Sequence, residues 1–482
     1  MRACSSQTFC KLGTQAGDDN QRMDSLLDLL TNAAARAADH REKVAERPVF
    51  PSDVDLEAVR AALSSLAEGP TPPAVVIDEL VAAVEPALVA TTGPRYFGFV
   101  VGGALDAATA ADVLTSGWDQ PAFNAFTSPA AAVVEDVAGG WLKELLGLPA
   151  GASFGFVTGG QGANTVALAA ARHHVLAEAG WDVEQRGLLG GPAVRVVATG
   201  ERHATIDRAL RLLGLGAGAL EPVTTDAQGA IDLADLAQVL ASGSDGPTIV
   251  CLQAGNVNSG AFDDFTAAIA EAHDHRAWVH VDGAFGLWAA ANPGTRHLTA
   301  GIEAADSWAT DGHKWLNVPY DVGYAFCAHP RAHAATMSYT AAYLTGQGQG
   351  GLRAPGDYVL ESSHRARGFA TWAALRQLGR TGVAELVERC CALARRFAEQ
   401  LSAIDNVTIA NDVVLNQVLV GFGDDERTDR IIESVQRSGE CWMGATTWHG
   451  QRLMRISVSS WRTTEADVDR SVAAILAATE SS

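Results

Sequence analysis

Two patterns of apolar and polar positions divide the chain. From residue 23 to about 90, apolar side chains recur at helical spacing, through Leu56, Val59, Leu63 and Leu66 and again through Ile77, Leu80, Val81 and Val84, with Pro70, Pro72 and Pro73 between. A helical arm of this kind cannot cover its own apolar face, and a second copy of the chain is expected to do so. From about 91 to 380 the apolar positions fall instead into short continuous runs: Phe154–Val157, Val194–Thr199, Thr248–Gln253, Trp278–Asp282, Asp306–Thr310 and Gly323–Cys327. Helical patterns at Gly162–Glu178, Thr205–Leu213 and Asp263–His273 separate several of them. Continuous apolar strands between amphipathic helices predict an α/β domain, with a mostly parallel sheet covered on both faces. Helices over Phe369–Gln377 and Val383–Ala403, strands over Val413–Val420 and Arg455–Ser459, and a closing helix over Glu465–Ala478 with an acidic first turn follow. The expected organisation is a disordered tail over 1–22, a helical arm over 23–90, a large ligand-binding domain over 91–380 and a small α+β domain over 381–482. The tail lacks the apolar core of a signal peptide, and Met23, where the first helical pattern starts, competes with Met1 as the start site.

Composition narrows the partners. A formal net charge of −21 argues against nucleic acid or an anionic membrane surface. Apolar runs are too often broken by polar residues to span a bilayer. Seven cysteines without metal-type spacing point to free thiols in a reducing cytoplasm, with Cys390 and Cys391 as helix packing residues and no metal site.

In sheets of this kind ligands sit beyond the carboxyl ends of the strands. Asp282 closes one apolar strand and Lys314 follows another. A lysine flanked by Trp315, Leu316 and Val318 needs a reason to be there; imine formation with an aldehyde cofactor is one, a loop surface the other. Asp282 suits the nitrogen of a protonated pyridine, a helix cap or a metal. His280, two residues earlier, shares its side of the strand and reads as structural. His203, after Val194–Thr199, is placed to stack on a planar ring or to cap a helix. The turn Thr158–Asn164 joins a strand to a helix through Gly159 and Gly160, where backbone amides can approach a phosphate; it lacks the spacing of nucleotide-binding glycine loops. A lysine amine, a carboxylate for a ring nitrogen and a phosphate turn are together what pyridoxal 5′-phosphate (PLP) chemistry requires.

From about residue 50 onward the chain resembles the group II PLP-dependent decarboxylases, relatives of aromatic-L-amino-acid decarboxylase with the aspartate-aminotransferase-like type I fold. The resemblance rests on Arg95-Tyr96-Phe97-Gly98-Phe99, Thr127-Ser128-Pro129-Ala130, Gly159-Gly160, His203 to Arg208, Gly255 to Phe262, His280 to Ala284, His313-Lys314-Trp315, and His364-Arg365-Ala366-Arg367 with Trp372. It implies a homodimer with active sites at the subunit interface and decarboxylation of an L-amino acid to its amine and CO2. It also implies that Lys314 holds PLP covalently, that Asp282 pairs with the pyridine nitrogen and that His203 stacks on the ring. Gly159, Gly160, Gln161, Ala284 and His313 would line the cofactor, and Arg365 or Arg367 would sit near the entrance or stabilise the fold there. The family's protonating tyrosine belongs to the segment Met337–Ser363, where Tyr339, Tyr343 and Tyr358 are candidates and Tyr358 is nearest along the chain. Without such a tyrosine, oxygen-dependent aldehyde formation is the alternative; transamination, carbon–carbon cleavage and a catalytically silent binding homologue are the others. Asp311 stands where the family has an asparagine beside the phosphate, and is expected to turn toward the pyridine side. Val257 replaces a threonine. Phe99 is followed by Val100 and Val101, which alters the wall for an aromatic substrate; Trp118, Phe123 and Phe126 either rebuild a pocket or belong to the core.

Overall fold

The computed structural model describes residues 25–51, 54–243, 246–339 and 352–481; the expected tail and Tyr343 lie outside them. The described residues form two compact units, 25–42 with 54–88, and 43–51 with 89–481. The first contains α1 (Leu26–Lys43), α2 (Leu56–Leu63) and α3 (Pro73–Val84). Asp55 caps α2 by accepting from the Glu57 and Ala58 amides, and Pro73 opens α3, where a missing N–H costs nothing. None of these helices buries a residue, and Leu26, Leu27 and Leu30 are exposed.

The second unit carries α4 (Asp106–Trp118), α5 (Pro129–Leu145), α6 (Gly160–Glu178), α7 (Val183–Arg186), α8 (Ala204–Leu212), α9 (Leu233–Ser242), α10 (Phe265–Asp274), α11 (Pro330–Met337), α12 (Gly368–Ser402), α13 (Asp425–Ser438) and α14 (Glu465–Glu480). Its main sheet joins β1 (Ser153–Val157), β2 (Arg195–Thr199), β3 (Leu220–Val223), β4 (Thr248–Gln253), β5 (Trp278–Asp282), β6 (Ser307–Asp311) and β7 (Gly323–Cys327), in the order β1-β7-β6-β5-β4-β2-β3. β7 runs antiparallel to both neighbours and the other pairs are parallel. Every residue of β5, β6 and β7 is buried, as continuous apolar runs require, so both faces are covered. A second, antiparallel sheet joins β8 (Thr408–Ile409), β9 (Gln417–Gly421), β10 (Gly444–Trp448) and β11 (Gln451–Ser457), in the order β10-β11-β9-β8.

The expected α/β sheet is present, with three local differences. β3 escapes the pattern because it contains Pro222, which is tolerated on this edge strand. β10 is too polar to read as an apolar run; it forms by hairpin closure through His449 (φ 47°) and Gly450 (φ 80°), the paired positive φ of a tight two-residue turn. The helices expected over Phe369–Gln377 and Val383–Ala403 are halves of α12, which bends where Gly379 leaves helical geometry.

His333 of α11 is buried between β1 and the segment before α12. Its Nε2 donates to the Tyr358 carbonyl (3.0 Å), and its Nδ1 faces Ser153 Oγ (2.9 Å). Burial pushes its pKa down to about 3. An unfolded imidazole titrates near ~6.5, so between those values the unfolded chain takes up a proton that the folded one refuses. The stability linked to the neutral ring is full above ~6.5 and falls toward pH 3, by about 1.4 kcal/mol per pH unit. His333→Gln keeps one acceptor and one donor but cannot titrate. It is expected to reduce the acid-side slope of unfolding free energy against pH by about one proton, measured by urea unfolding between pH 7 and 5.

Candidate active site

The carboxyl ends of β1, β5 and β6 meet the amino ends of α6 and α8. β6 ends at Asp311, and the chain turns through Gly312 and His313 to Lys314, whose Nζ lies 3.0 Å from Asp311 Oδ2. Asn317, in the left-handed region (φ 56°), pins this turn: its Nδ2 donates to the carbonyls of Trp315 (2.8 Å) and Ser459 (3.0 Å), and its Oδ1 accepts from the Trp461 amide (2.9 Å). Gly102 packs against the same turn so closely that a Cβ there would sit 1.6 Å from the Lys314 carbonyl oxygen. Trp315, Leu316 and Val318 are buried, while the Lys314 side chain keeps a window to solvent.

The double-glycine turn packs beside it. Gly159 has φ 153°, and a Cβ on it would meet His313 Cε1 at 2.7 Å. The Gly160 amide donates to Asp311 Oδ1 at 2.5 Å. Asp311 is therefore on the glycine-turn side with Lys314 and His313, not on the Asp282 side as expected. The Lys314 ammonium and the Gly160 amide at the start of α6 are the donors that hold it there. By helix geometry the next amides, Gln161 and Gly162, have no acceptor within α6 and remain for an anion. His313 accepts from the Val322 amide (3.2 Å) and stacks on Tyr320 at 4.2 Å. Burial lowers its pKa even though Asp311 opposes the shift.

Asp282 is buried at the end of β5. Its Oδ1 accepts from the Ala284 amide (3.2 Å) and its Oδ2 from Asn164 Nδ2 (3.1 Å). Ala284 lies on the floor, 3.6 Å from where a Gly160 Cβ would be. His203 caps α8 through Nδ1 and fronts the cleft. Lost hydration is the largest influence on its pKa, which is lowered; Lys314 and Arg455 lower it further, while Asp282 and Asp311 act to raise it. Both Lys314 and Asp282 thus act on one imidazole.

The Gln161 side chain reaches the Thr205 carbonyl (3.3 Å), so only its main chain faces the turn. Tyr358 lies beneath the Arg353 guanidinium (4.4 Å) with its carbonyl held by His333, and among the described residues no hydrogen bond joins it to Lys314, His203 or Asp282. Arg365 binds Asp112 and Ser116 of α4, and Arg367 binds Asp321, so both brace the fold. Trp118 and Phe126 are exposed. Several contributors escaped sequence reading. Asn164 shares a helix face with Gly160, four residues earlier, a spacing that could have revealed it. Arg455 interrupts the apolar run of β11; it is largely withdrawn from water, which lowers its pKa, and among the described residues its guanidinium hydrogen-bonds the Val257 carbonyl (3.4 Å). Trp442 stacks on Tyr96 (5.0 Å) and touches Phe99 (5.4 Å), contacts no local pattern encodes.

The conserved-domain model of pyridoxal-dependent decarboxylases matches residues 64–422. Tryptophan decarboxylase 1 of Oryza sativa subsp. japonica is 26% identical over 467 residues, covering 91% of this chain and 90% of that protein. 4-Hydroxyphenylacetaldehyde synthase of Rhodiola rosea is 26% identical over 416 residues, covering 82% and 83%. The crystal structure of Oryza sativa TDC with PLP and tryptamine matches with a TM-score of 0.89 at 24% identity, over 97% of this chain and 99% of that one.

Because Gly102 has no room for a methyl group beside the Lys314 carbonyl, Gly102→Ala is expected to displace the Lys314 turn and destabilise the protein by about 1–3 kcal/mol, read from urea unfolding.

Proposed function

The chain belongs to the pyridoxal-dependent decarboxylase family, and on that premise we propose which of its residues carry the reaction and which substrates it takes. It is a PLP-dependent carboxy-lyase that converts an L-amino acid to its amine and CO2. When bound, PLP supplies the electron-withdrawing ring that accepts the electron pair left by the departing CO2. The residues present fit that group: a glycine turn in which a side chain would clash, spare amides at the start of α6, a lysine with a window to solvent, and a buried carboxylate.

In this reading Lys314 holds the cofactor covalently. The Gln161 and Gly162 amides and His313 bind its phosphate, and Asp282 holds the ring nitrogen's proton. His203 covers the ring and orients the substrate. Asp311 balances the charge of Lys314 and keeps the Gly160 turn closed. Arg455 orients the substrate carboxylate: it is a guanidinium sheltered from water with no carboxylate salt bridge among the described residues. The single observation carrying the assignment is that Asp311 ties Lys314 to the Gly160 turn that opens α6, while the same helix carries Asn164 to the buried Asp282 carboxylate. Within this chain Tyr358 is turned away from that group, with its contacts to Arg353 and His333.

The proposed substrates are aromatic L-amino acids. Phe99 is exposed beside Trp442, three residues before the Gly102 contact with Lys314, and Tyr320 stacks on His313, so apolar ring surface borders the mouth. The relatives' activities, tryptophan and tyrosine decarboxylation among them, point the same way. A homodimer is proposed because the first unit's helices bury nothing of their own, and a cytoplasmic location because the five described cysteines are free. No described helix is long and apolar enough to cross a membrane.

Purified protein with PLP is expected to release CO2 and amine from tryptophan, tyrosine or phenylalanine. Stoichiometric aldehyde and peroxide, with oxygen uptake, would instead assign it to aldehyde synthesis. Lys314→Ala should lose covalently held cofactor, detected by mass spectrometry after borohydride reduction; normal turnover by that variant would remove Lys314 from the mechanism. Arg455→Gln should raise KM about 10- to 100-fold, from the loss of a charged hydrogen bond.

A further inference from the structure

His280 is a fully buried histidine that the reading above leaves without a task. It sits two residues before Asp282 on β5, and both side chains reach Asn164 of α6. The direction of every hydrogen bond here follows from two groups that have only one sense. A carboxylate such as that of Asp282 can only accept, so Asn164 turns its Nδ2 toward Oδ2 (3.1 Å) and toward Thr205 Oγ1 (3.0 Å). Asn164 Oδ1 is then left to accept from His280 Nε2 (2.9 Å), which must carry the ring hydrogen. His280 Nδ1 is bare and accepts from the Ser307 hydroxyl (3.0 Å), whose oxygen accepts from the donor-only indole of Trp278 (2.9 Å). At the other end Thr205 offers its hydroxyl (2.9 Å) and its amide (3.3 Å) to His203 Nδ1, so the His203 hydrogen lies on Nε2.

The chain therefore runs from Trp278 through Ser307, His280, Asn164 and Thr205 to His203, with a branch to Asp282. If Asn164 flipped, its oxygen would face the Asp282 carboxylate and its amide the His280 N–H, so one reversal sets like against like at two buried contacts. Burial pushes the His280 pKa down to about 4, which keeps the ring neutral and the pattern intact near neutral pH.

We propose that His280 and Asn164 are positioning residues: through this directed chain they hold the Asp282 carboxylate turned toward the cofactor's ring nitrogen, and hold His203 with its hydrogen on Nε2. The proposal rests on the PLP reading of the site.

The test compares wild type, His280→Gln, His280→Leu and Asn164→Asp, each titrated with PLP and followed by the visible absorption of the bound cofactor across pH. Glutamine can accept from Ser307 and donate to Asn164; leucine can do neither. His280→Leu is expected to weaken PLP binding about tenfold and to move the pH midpoint of the visible band, because Asn164 loses the bond that sets its orientation. His280→Gln should stay within about threefold of wild type. Asn164→Asp, nearly isosteric, sets a second carboxylate against Asp282 and should move the midpoint furthest. It carries the test if His280→Leu does not fold. The proposal is overturned if Asn164→Asp keeps the wild-type profile, if a folded His280→Leu does so, or if His280→Gln is as impaired as His280→Leu. A wild-type protein that binds no PLP removes the functional reading and this proposal together; wild-type binding with indifferent variants removes the proposal alone.

Discussion

Charge buried at the carboxyl ends of a sheet that is closed on both faces is the constraint to which the rest of the structure answers. Asp282 and Asp311 are both nearly inaccessible, and a carboxylate withdrawn from water stays ionised only where donors replace its hydration. Asp311 meets this with the Lys314 ammonium and the Gly160 amide. Asp282 has no cation in hydrogen-bond contact among the described residues. It relies on neutral donors, Asn164 and the Ala284 amide, one to each oxygen, which leaves acceptor capacity for the ring nitrogen of the proposed reading. The two acids thus divide the site into a neutralised side and a receptive side.

The backbone that carries the side chains of the candidate site is pinned by contacts from other segments. Asn317 knots the Lys314 turn to the chain near Ser459 and Trp461, and Gly102 presses on it from another segment. Gly159 is wedged against His313, and α6 delivers both the spare amides and Asn164 from one rigid rod. Geometry held to this tolerance matters for decarboxylation, where alignment of the breaking bond and exclusion of water supply most of what the protein adds to the cofactor. The small sheet contributes as well: β11 carries Arg455, a residue remote in sequence whose charge lowers the pKa of His203.

Much of this was legible in the sequence, for identifiable reasons. The runs ending at Asp282 and preceding Lys314 are apolar because both sheet faces are buried, and burial of both faces leaves a mark on every residue. The Gly159-Gly160 turn was legible because close backbone approach demands glycine. His203 was legible as a histidine following a strand, and it proves to cap α8 as well as to front the site. The polar strand β10 and the proline-bearing edge strand β3 were not, since pairing rather than hydrophobicity makes them strands.

What the sequence by itself determined is the alternation of strand and helix, and the order in which a double-glycine turn, a histidine, an acid and a lysine reach one edge of the sheet; periodicity is local, and side-chain burial enforces it residue by residue. Only the tertiary structure decided which way those groups face. Asp311 joined Lys314 and Gly160, Tyr358 went beneath Arg353, Arg455 arrived from the second sheet, and Asn164 came to join His280 to Asp282. A hydrogen bond or ion pair takes its direction from the partner it meets, and these partners are brought together by the packing of segments far apart in the chain.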